Sequence, residues 1–324
     1  MITRKSIGAF IAILGLVLAL CPQTGWCQAQ PYPTRQLTYL IPFDPGGQSD
    51  VEARRQQPHL ARILGQQVII DYKVGGGGAL GWRELTKSKP DGYLFCGFNI
   101  PHTILQPLQQ EVGYKTEQLV PVALFQRTPV GLAVPANSPY KTLEEFIQAA
   151  KKDPGKLSVG GSSFFSGPHF ATMRFEKLAG VKLSYVPFTG AAPQITALLG
   201  GHTDAGMTFS NDLVRFIDKL RILAMATDQR MPQFPNVPTF KELGFDLVEA
   251  VDRGVIVPPK TPAEVVAKLE AAFLEIAKNP DIQEEMRKKG FMPLAMGAAE
   301  SKAYLDKLTA QYKVMFQEVK DVKK

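Results

Sequence analysis

From residue 37 onward the chain alternates between two patterns of apolar and polar positions. Short apolar runs bounded by turn residues read as β-strands: LTYLIPF, VIIDYK, YLFCGFN, PVALFQR, VGLAVPA, KLSVGG, LSYVPF, DAGMTF and RILAMAT. Between several of them, apolar positions recur at three- and four-residue steps over 51–64, 80–88, 143–151, 169–178 and 193–199, which predicts helices. Strands alternating with helices of this length imply an α/β fold, a parallel sheet covered by helices on both faces. Thr142 ahead of LEEF, with Glu145 three residues later, predicts a capping box. Thr261-Pro262 opens PAEVVAKLEAAFLEIAK with a proline at the first helical position. Pro58 falls inside a helical stretch, so a kink or a restarted helix is expected there. After Thr261 the pattern turns all-helical. Leu305, Leu308, Tyr312, Phe316 and Val319 form one apolar face of a long last helix, expected to pack across a sheet.

The first residues break the alternation. Arg4 and Lys5 precede an apolar run from Ile7 to Cys21, which is short for a membrane span of ~20 residues. A signal peptide over 1–29, cleaved after Ala29, fits better than an uncleaved anchor, and it sends the protein to the periplasm. Cleavage removes Cys21 and Cys27, so Cys96 is left without a partner; within YLFCGF it reads as a small core residue rather than a nucleophile. The formal charge falls from +7 to +5 with Arg4 and Lys5 gone. That mild excess helps attract small anions, but it is too scattered for nucleic acid. The length of 324 residues favours two domains.

Candidate chemistry gathers at strand ends. IPFDPGGQSD (41–50) leaves the first strand, turns on paired glycines and enters a helix. Gly46 and Gly47 let bare amides approach a ligand, Ser49 or Asp50 can cap the helix, and the helix dipole then favours an anion. The same residues also suit a plain connection. In VGGSSFFSGPHF, Ser162, Ser163 and Ser166 offer hydroxyls, and Phe164 and Phe165 can wall a pocket or join the core. His169 can meet a carboxylate or only cap and pack. Thr189 and Gly190 end another strand ahead of Ala191, and Ser210 and Asn211 follow DAGMTF. Ligands of open parallel sheets bind beyond the carboxyl ends of strands, so the recurrence of small polar loops there favours an anion site.

Other chemistry finds little support. GGGALG (76–81) matches the dinucleotide pattern G-x-G-x-x-G, but the following strand ends in Asn99 where an acidic residue is needed. A turn packed tightly under a helix is the better reading, with an exported nucleotide-binding enzyme as the alternative. There is no G-x-S-x-G, H-E-x-x-H or C-x-x-C, and His59, His102, His169 and His202 are dispersed. No catalysis, cofactor or metal is expected.

Seven segments, in their order and spacing, carry a resemblance: YPTRQLTYLIPFDPGGQSDVEAR, LGQQVIIDYKVGGGGALG, KPDGY, PGKLSVGGSS followed by His169, VPFTGAAPQITALLGGHTDAGM, NVPTFKELGF and VPPKTPAEVVAKL. Together they resemble the periplasmic receptors of tripartite tricarboxylate transporters, the TctC or Bug family, over nearly the whole mature chain. The resemblance implies a type II periplasmic binding protein fold. Two α/β lobes with parallel and mixed sheets flank a ligand cleft, crossing strands join them, and C-terminal helices pack on lobe one. The implied division is 30–128 for lobe one, 129–226 for lobe two and 227–324 for the return to lobe one. It also implies a monomer that holds a small organic carboxylate and delivers it to membrane components of the transporter. The loops from Phe43 through Gln48 to Asp50 and from Ser163 to His169 would hold the ligand, partly through backbone amides and water. Asn99 and Thr189-Gly190 would line the same cleft. Three positions depart from the family pattern: Phe188-Thr189, Phe164-Phe165, and Asp252-Arg253 in a segment where the family carries Trp or Tyr. The two phenylalanines suggest a bulkier, more apolar carboxylate.

Overall fold

The computed structural model describes residues 32–320; the expected signal peptide lies outside the described residues. In chain order the elements are β1 (Leu37–Ile41), α1 (Gln48–Leu64), β2 (Val68–Tyr72), α2 (Ala79–Thr86), β3 (Leu94–Ile100), α3 (His102–Gln109), β4 (Val120–Pro135), α4 (Leu143–Lys152), β5 (Ser158–Ser162) and α5 (Gly167–Ala179). They continue with β6 (Ser184–Phe188), α6 (Ala191–Leu199), β7 (Ala205–Phe209), α7 (Ser210–Arg215), β8 (Leu220–Met225), β9 (Ala250–Val257), α8 (Ala263–Ala277), α9 (Pro280–Lys288), β10 (Met292–Met296) and α10 (Ala298–Lys320).

The strands join in the order β2-β1-β3-β9-β4-β7-β5-β6, with β8 and β10 also on β4. Both ends of the sheet are parallel, as the βαβ pattern requires: β2, β1 and β3 in lobe one, β6, β5 and β7 in lobe two. The middle is antiparallel, because β9 and β4 run against their neighbours. The sheet is therefore mixed rather than parallel throughout.

β4 explains how one sheet serves two lobes. Sequence patterning predicts two strands, PVALFQR and VGLAVPA, with a break at Thr128-Pro129. The structure has one strand of 16 residues. Proline supplies no ladder N–H, so it is tolerated where a strand changes partners. Before Pro129, β4 pairs with β9 and β10; from Val130 on, it pairs with β7 and β8. Val130 N donates to Glu249 O at 3.2 Å across the handover. Two crossing segments, β4 and the start of β9, thus connect the lobes.

Other expectations are corrected. β9 reads poorly as a strand because Asp252 and Arg253 interrupt its apolar run, yet both are buried. The tail is not all-helical, since β10 pairs with β4. α3 escapes periodicity because it is short and contains Pro107. α1 runs through Pro58 as one helix rather than restarting. α8 begins at Ala263, with Pro262 as its N-cap residue. The capping box is present: Glu145 N donates to Thr142 Oγ1 at 3.2 Å, and Thr142 N donates back to Glu145 Oε2 at 3.3 Å.

Each lobe has its own core. Trp82, Phe98, Leu124, Ile256 and the α10 residues Leu305, Tyr312 and Phe316 pack in lobe one. Phe146, Val159, Phe175, Met207 and Phe240 pack in lobe two. The apolar face of α10 so completes lobe one, with Leu308 at its edge; the Val319 side chain lies outside the described set. Cys96 is fully buried, and burial pushes its thiol well above its ordinary pKa, as suits a core residue. Among the described residues no helix is long and apolar enough to cross a membrane.

Candidate functional site

A narrow cavity of about 30 Å³ lies between the lobes. Lobe one contributes Phe43, Asp44, Gly47, Gln48, Ser49, Asn99 and His102. Lobe two contributes Ser162, Gly190, Ala191, Ala192, Pro193 and Phe209, and Arg253 enters from β9. The location follows from topology: β1, β3, β5 and β6 all end here, and α1 and α6 begin here. Neither α1, behind Gly47, nor α6, behind Gly190, has a side-chain cap. Their first-turn N–H groups are therefore available to an acceptor.

Seven sequence-selected residues come together around this cavity: Phe43, Gly47, Gln48, Ser49, Asn99, Gly190 and Ala191. The others stand nearby in different roles. Gly46, at φ +80°, makes the turn, and its N–H donates to Asp50 Oδ2 at 2.8 Å. Asp50 also accepts from Tyr72 at 2.6 Å and Arg54 at 2.9 Å, so neither it nor Ser49 caps α1. Burial alone would raise the Asp50 carboxyl, but these donors outweigh it and hold its pKa below the usual range. Ser166 is fully buried, caps α5 by accepting from His169 N at 3.2 Å, and donates to Ser162 O at 3.0 Å. His169 Nδ1 accepts from Phe165 N at 3.1 Å. Phe164 is half exposed, and Phe165 packs edge-on against His169 and Phe316. Neither ring lines this cavity. Thr189 precedes the Gly190 lining position, and Ser210 donates to Gly290 O at 2.6 Å.

Two contacts hold the lobes against each other. Gln48 Nε2 donates to Asn211 Oδ1 at 2.5 Å and to Asp212 Oδ2 at 3.2 Å. Gly77, at φ +63°, meets Ser163 so closely that a Cβ built on it would lie 2.5 Å from Ser163 Oγ. Its carbonyl accepts from Gln106 Nε2 at 2.7 Å, and a Cβ on Gly78 would strike the Trp82 ring. The glycine run Gly75–Gly78 thus serves packing and lobe contact, and the nucleotide alternative is not favoured.

Burial sets the electrostatics. His102 is buried, and desolvation, helped by Arg253, drives its pKa down to about 3, so it is neutral at pH 7. Burial raises Asp212 to about 6 against hydrogen bonds from Gln48 and Asn211 and the attraction of Arg253. Arg253 is lowered to about 10 by burial, which Glu52, Asp212 and Asp252 only partly offset. Four buried polar atoms of cavity-lining residues have no hydrogen-bond partner: Gln48 Oε1, His102 Nδ1, Ser162 Oγ and Arg253 Nε. Leaving such an atom unmet costs roughly 1–3 kcal/mol, more for a charge.

A family model for the tripartite tricarboxylate transporter family receptor, TctC, matches residues 52–320. The chain belongs to this family. It is 32% identical over 302 residues to the UPF0065 protein in the gbd 5' region of Cupriavidus necator, covering 92% of this chain and 90% of that one. Its structure resembles R. palustris Rpa4515 with adipate, at TM-score 0.84 and 25% identity, covering 89% of this chain and 98% of that chain. It also resembles MatC from Rhodopseudomonas palustris with bound malate, at TM-score 0.82 and 26% identity over 88% of this chain and 99% of that chain. The fold is thus that of the periplasmic binding proteins.

As a TctC-type receptor, the chain places several residues at its cleft that sequence reasoning did not select: His102, Phe209, Arg253 and the Asp212 bridge; Ser162, read as a hydroxyl donor, lines it too. His102 lies just past β3, so the strand-end rule that found Asn99 could have found it too. The clue to Arg253 was a charge pair inside an apolar run.

Proposed function

We propose that this receptor captures an organic carboxylate between its lobes in the periplasm and hands it to the membrane components of a tripartite transporter, acting as a monomer without catalysis. The four unmet polar atoms around one cleft carry this reading, because a carboxylate oxygen accepts from Ser162 Oγ, Arg253 Nε and the Nδ1–H tautomer of His102, while a ligand hydroxyl or a water donates to Gln48 Oε1. The uncapped starts of α1 and α6 favour negative charge from both lobes. The change of partners in β4 after Pro129 and the end of β8 at Met225 support dividing the lobes at about residues 128 and 226. The adipate and malate bound by the two similar structures are carboxylates of the expected kind.

The cavity has room for about one or two waters, so a ligand enters only when the lobes part. Parting breaks the Gln48 bridge to Asn211 and Asp212; closing over a ligand restores it and adds ligand contacts to both lobes. The membrane partner then reads the closed shape.

A thermal-shift screen of mono-, di- and tricarboxylates, aromatic acids included, tests this reading, with NAD as control. An acid at a hundredfold excess over its Kd should add about 2.7 kcal/mol. Stabilisation by NAD and by none of the acids would overturn the proposal.

A further inference from the structure

Arg253 presents a guanidinium without an ionic partner among the described residues. It is 4% exposed, and its Nη1 donates to Thr128 Oγ1 at 2.6 Å. Nε has no hydrogen-bond partner, and the group sits 5.2 Å from the Phe209 ring centroid. Arginine is almost never fully buried unless paired. Each carboxylate that influences it electrostatically is committed elsewhere. Glu52 pairs with Arg55, Asp252 with Arg127, and Asp212 accepts from Gln48 and Asn211. Among the described residues none reaches ion-pair distance of Arg253. Arg253 does line the cleft cavity.

We infer that Arg253 is the charged anchor of the ligand, pairing directly with one of its carboxylate groups. The inference rests on the receptor reading above and deepens it. Helix N-termini and amides supply partial charges that accept many anions; a buried guanidinium adds a full charge and a planar fork that fits a carboxylate. Ligand choice in this receptor is then dominated by one ion pair at the crossing strand. The neighbouring His102 is neutral, so Arg253 is the cation that fills that role.

Calorimetric titration tests the inference with malate, adipate, citrate and benzoate, and with the amide of whichever acid binds best. In the unaltered protein the amide should bind at least a hundredfold more weakly than its acid. Arg253→Met should lose at least a hundredfold in affinity for the acid and bind the amide within twofold of the unaltered protein. Arg253→Lys keeps the charge but not the fork and should lose about tenfold, with a melting temperature near that of the unaltered protein. This second variant keeps the test decisive should Arg253→Met fail to fold. Binding of the acid by either variant within twofold of the unaltered protein overturns the anchor role while leaving the receptor reading intact. Failure of every acid to bind the unaltered protein overturns both.

Discussion

Asp252 and Arg253 are neighbours on β9, yet they have opposite surroundings. Successive residues of a strand face opposite sides of the sheet. Asp252 faces α10, where it accepts from Arg127 Nε at 2.7 Å and Nη2 at 3.0 Å and from the Tyr304 hydroxyl at 2.6 Å. Arg253 faces the cleft and has no carboxylate partner among the described residues. The hollow on the Asp252 side is much the larger, about 880 Å³ against about 30 Å³. Size would choose the larger hollow as the binding site; chemistry chooses the smaller. On the Asp252 side Arg127 pairs with Asp252, Arg230 with Glu242 and Asp228 with Lys241. On the Arg253 side four buried atoms wait for partners. The larger hollow also leaves Thr227 Oγ1, Gln233 Oε1 and Glu249 Oε2 unmet, but its arginines are paired with carboxylates, so among the described residues only the cleft keeps a buried cation for an anion to meet.

The largest effect should come from Asp252→Ala. It leaves Arg127 in a partly buried site without its bidentate partner, at a cost of about 3 kcal/mol. Urea unfolding measures the loss, and carboxylate affinity should change less than threefold. A large affinity loss with little stability loss would reverse the roles assigned to the two faces.

Next is a pH effect on the cleft side. The Asp212 carboxyl, ordinarily near 3.8, is held by burial near 6 in the folded chain. The folded state therefore keeps a proton that the unfolded state releases, and stability from this group is present below about 3.8 and lost as pH rises through about 6. The loss is at most roughly 3 kcal/mol. Asp212→Asn should flatten the stability profile between pH 4 and 6; an unchanged profile would show that Asp212 titrates normally.

Gln48→Ala removes the lobe bridge and should lower stability by about 1 kcal/mol. Ligand association should become faster, as seen in stopped-flow fluorescence, because less holds the lobes shut. The smallest effect is at the cavity mouth. Asp44 lines the cavity, and Asp44→Asn should raise affinity for a dicarboxylate about threefold at low salt and less at high salt. Weaker binding in this variant would mean that Asp44 receives a donor group of the ligand.

Much of this molecule was legible in its sequence, for local reasons. The Gly46-Gly47 and Thr189-Gly190 turns announce strand-to-helix junctions, and any parallel sheet sends such junctions to one edge. What stayed hidden depends on long-range pairing. β9 looks unlike a strand because its charges are buried by partners far away, Arg127 and Tyr304. β4 looks like two strands because a proline marks a change of partner that only the sheet reveals. Ser166 and His169 read equally well as ligand contacts or as a helix cap, and the structure shows them bonded to their own loop.

The most direct measurement is a crystal structure of the receptor with its best-binding carboxylate. The ligand should lie in the interlobe cleft, with one carboxylate on the Arg253 guanidinium and oxygens at the starts of α1 and α6. A ligand seated instead in the larger hollow beside Asp252 and Tyr304, with the cleft unchanged, would contradict the assignment of the two faces.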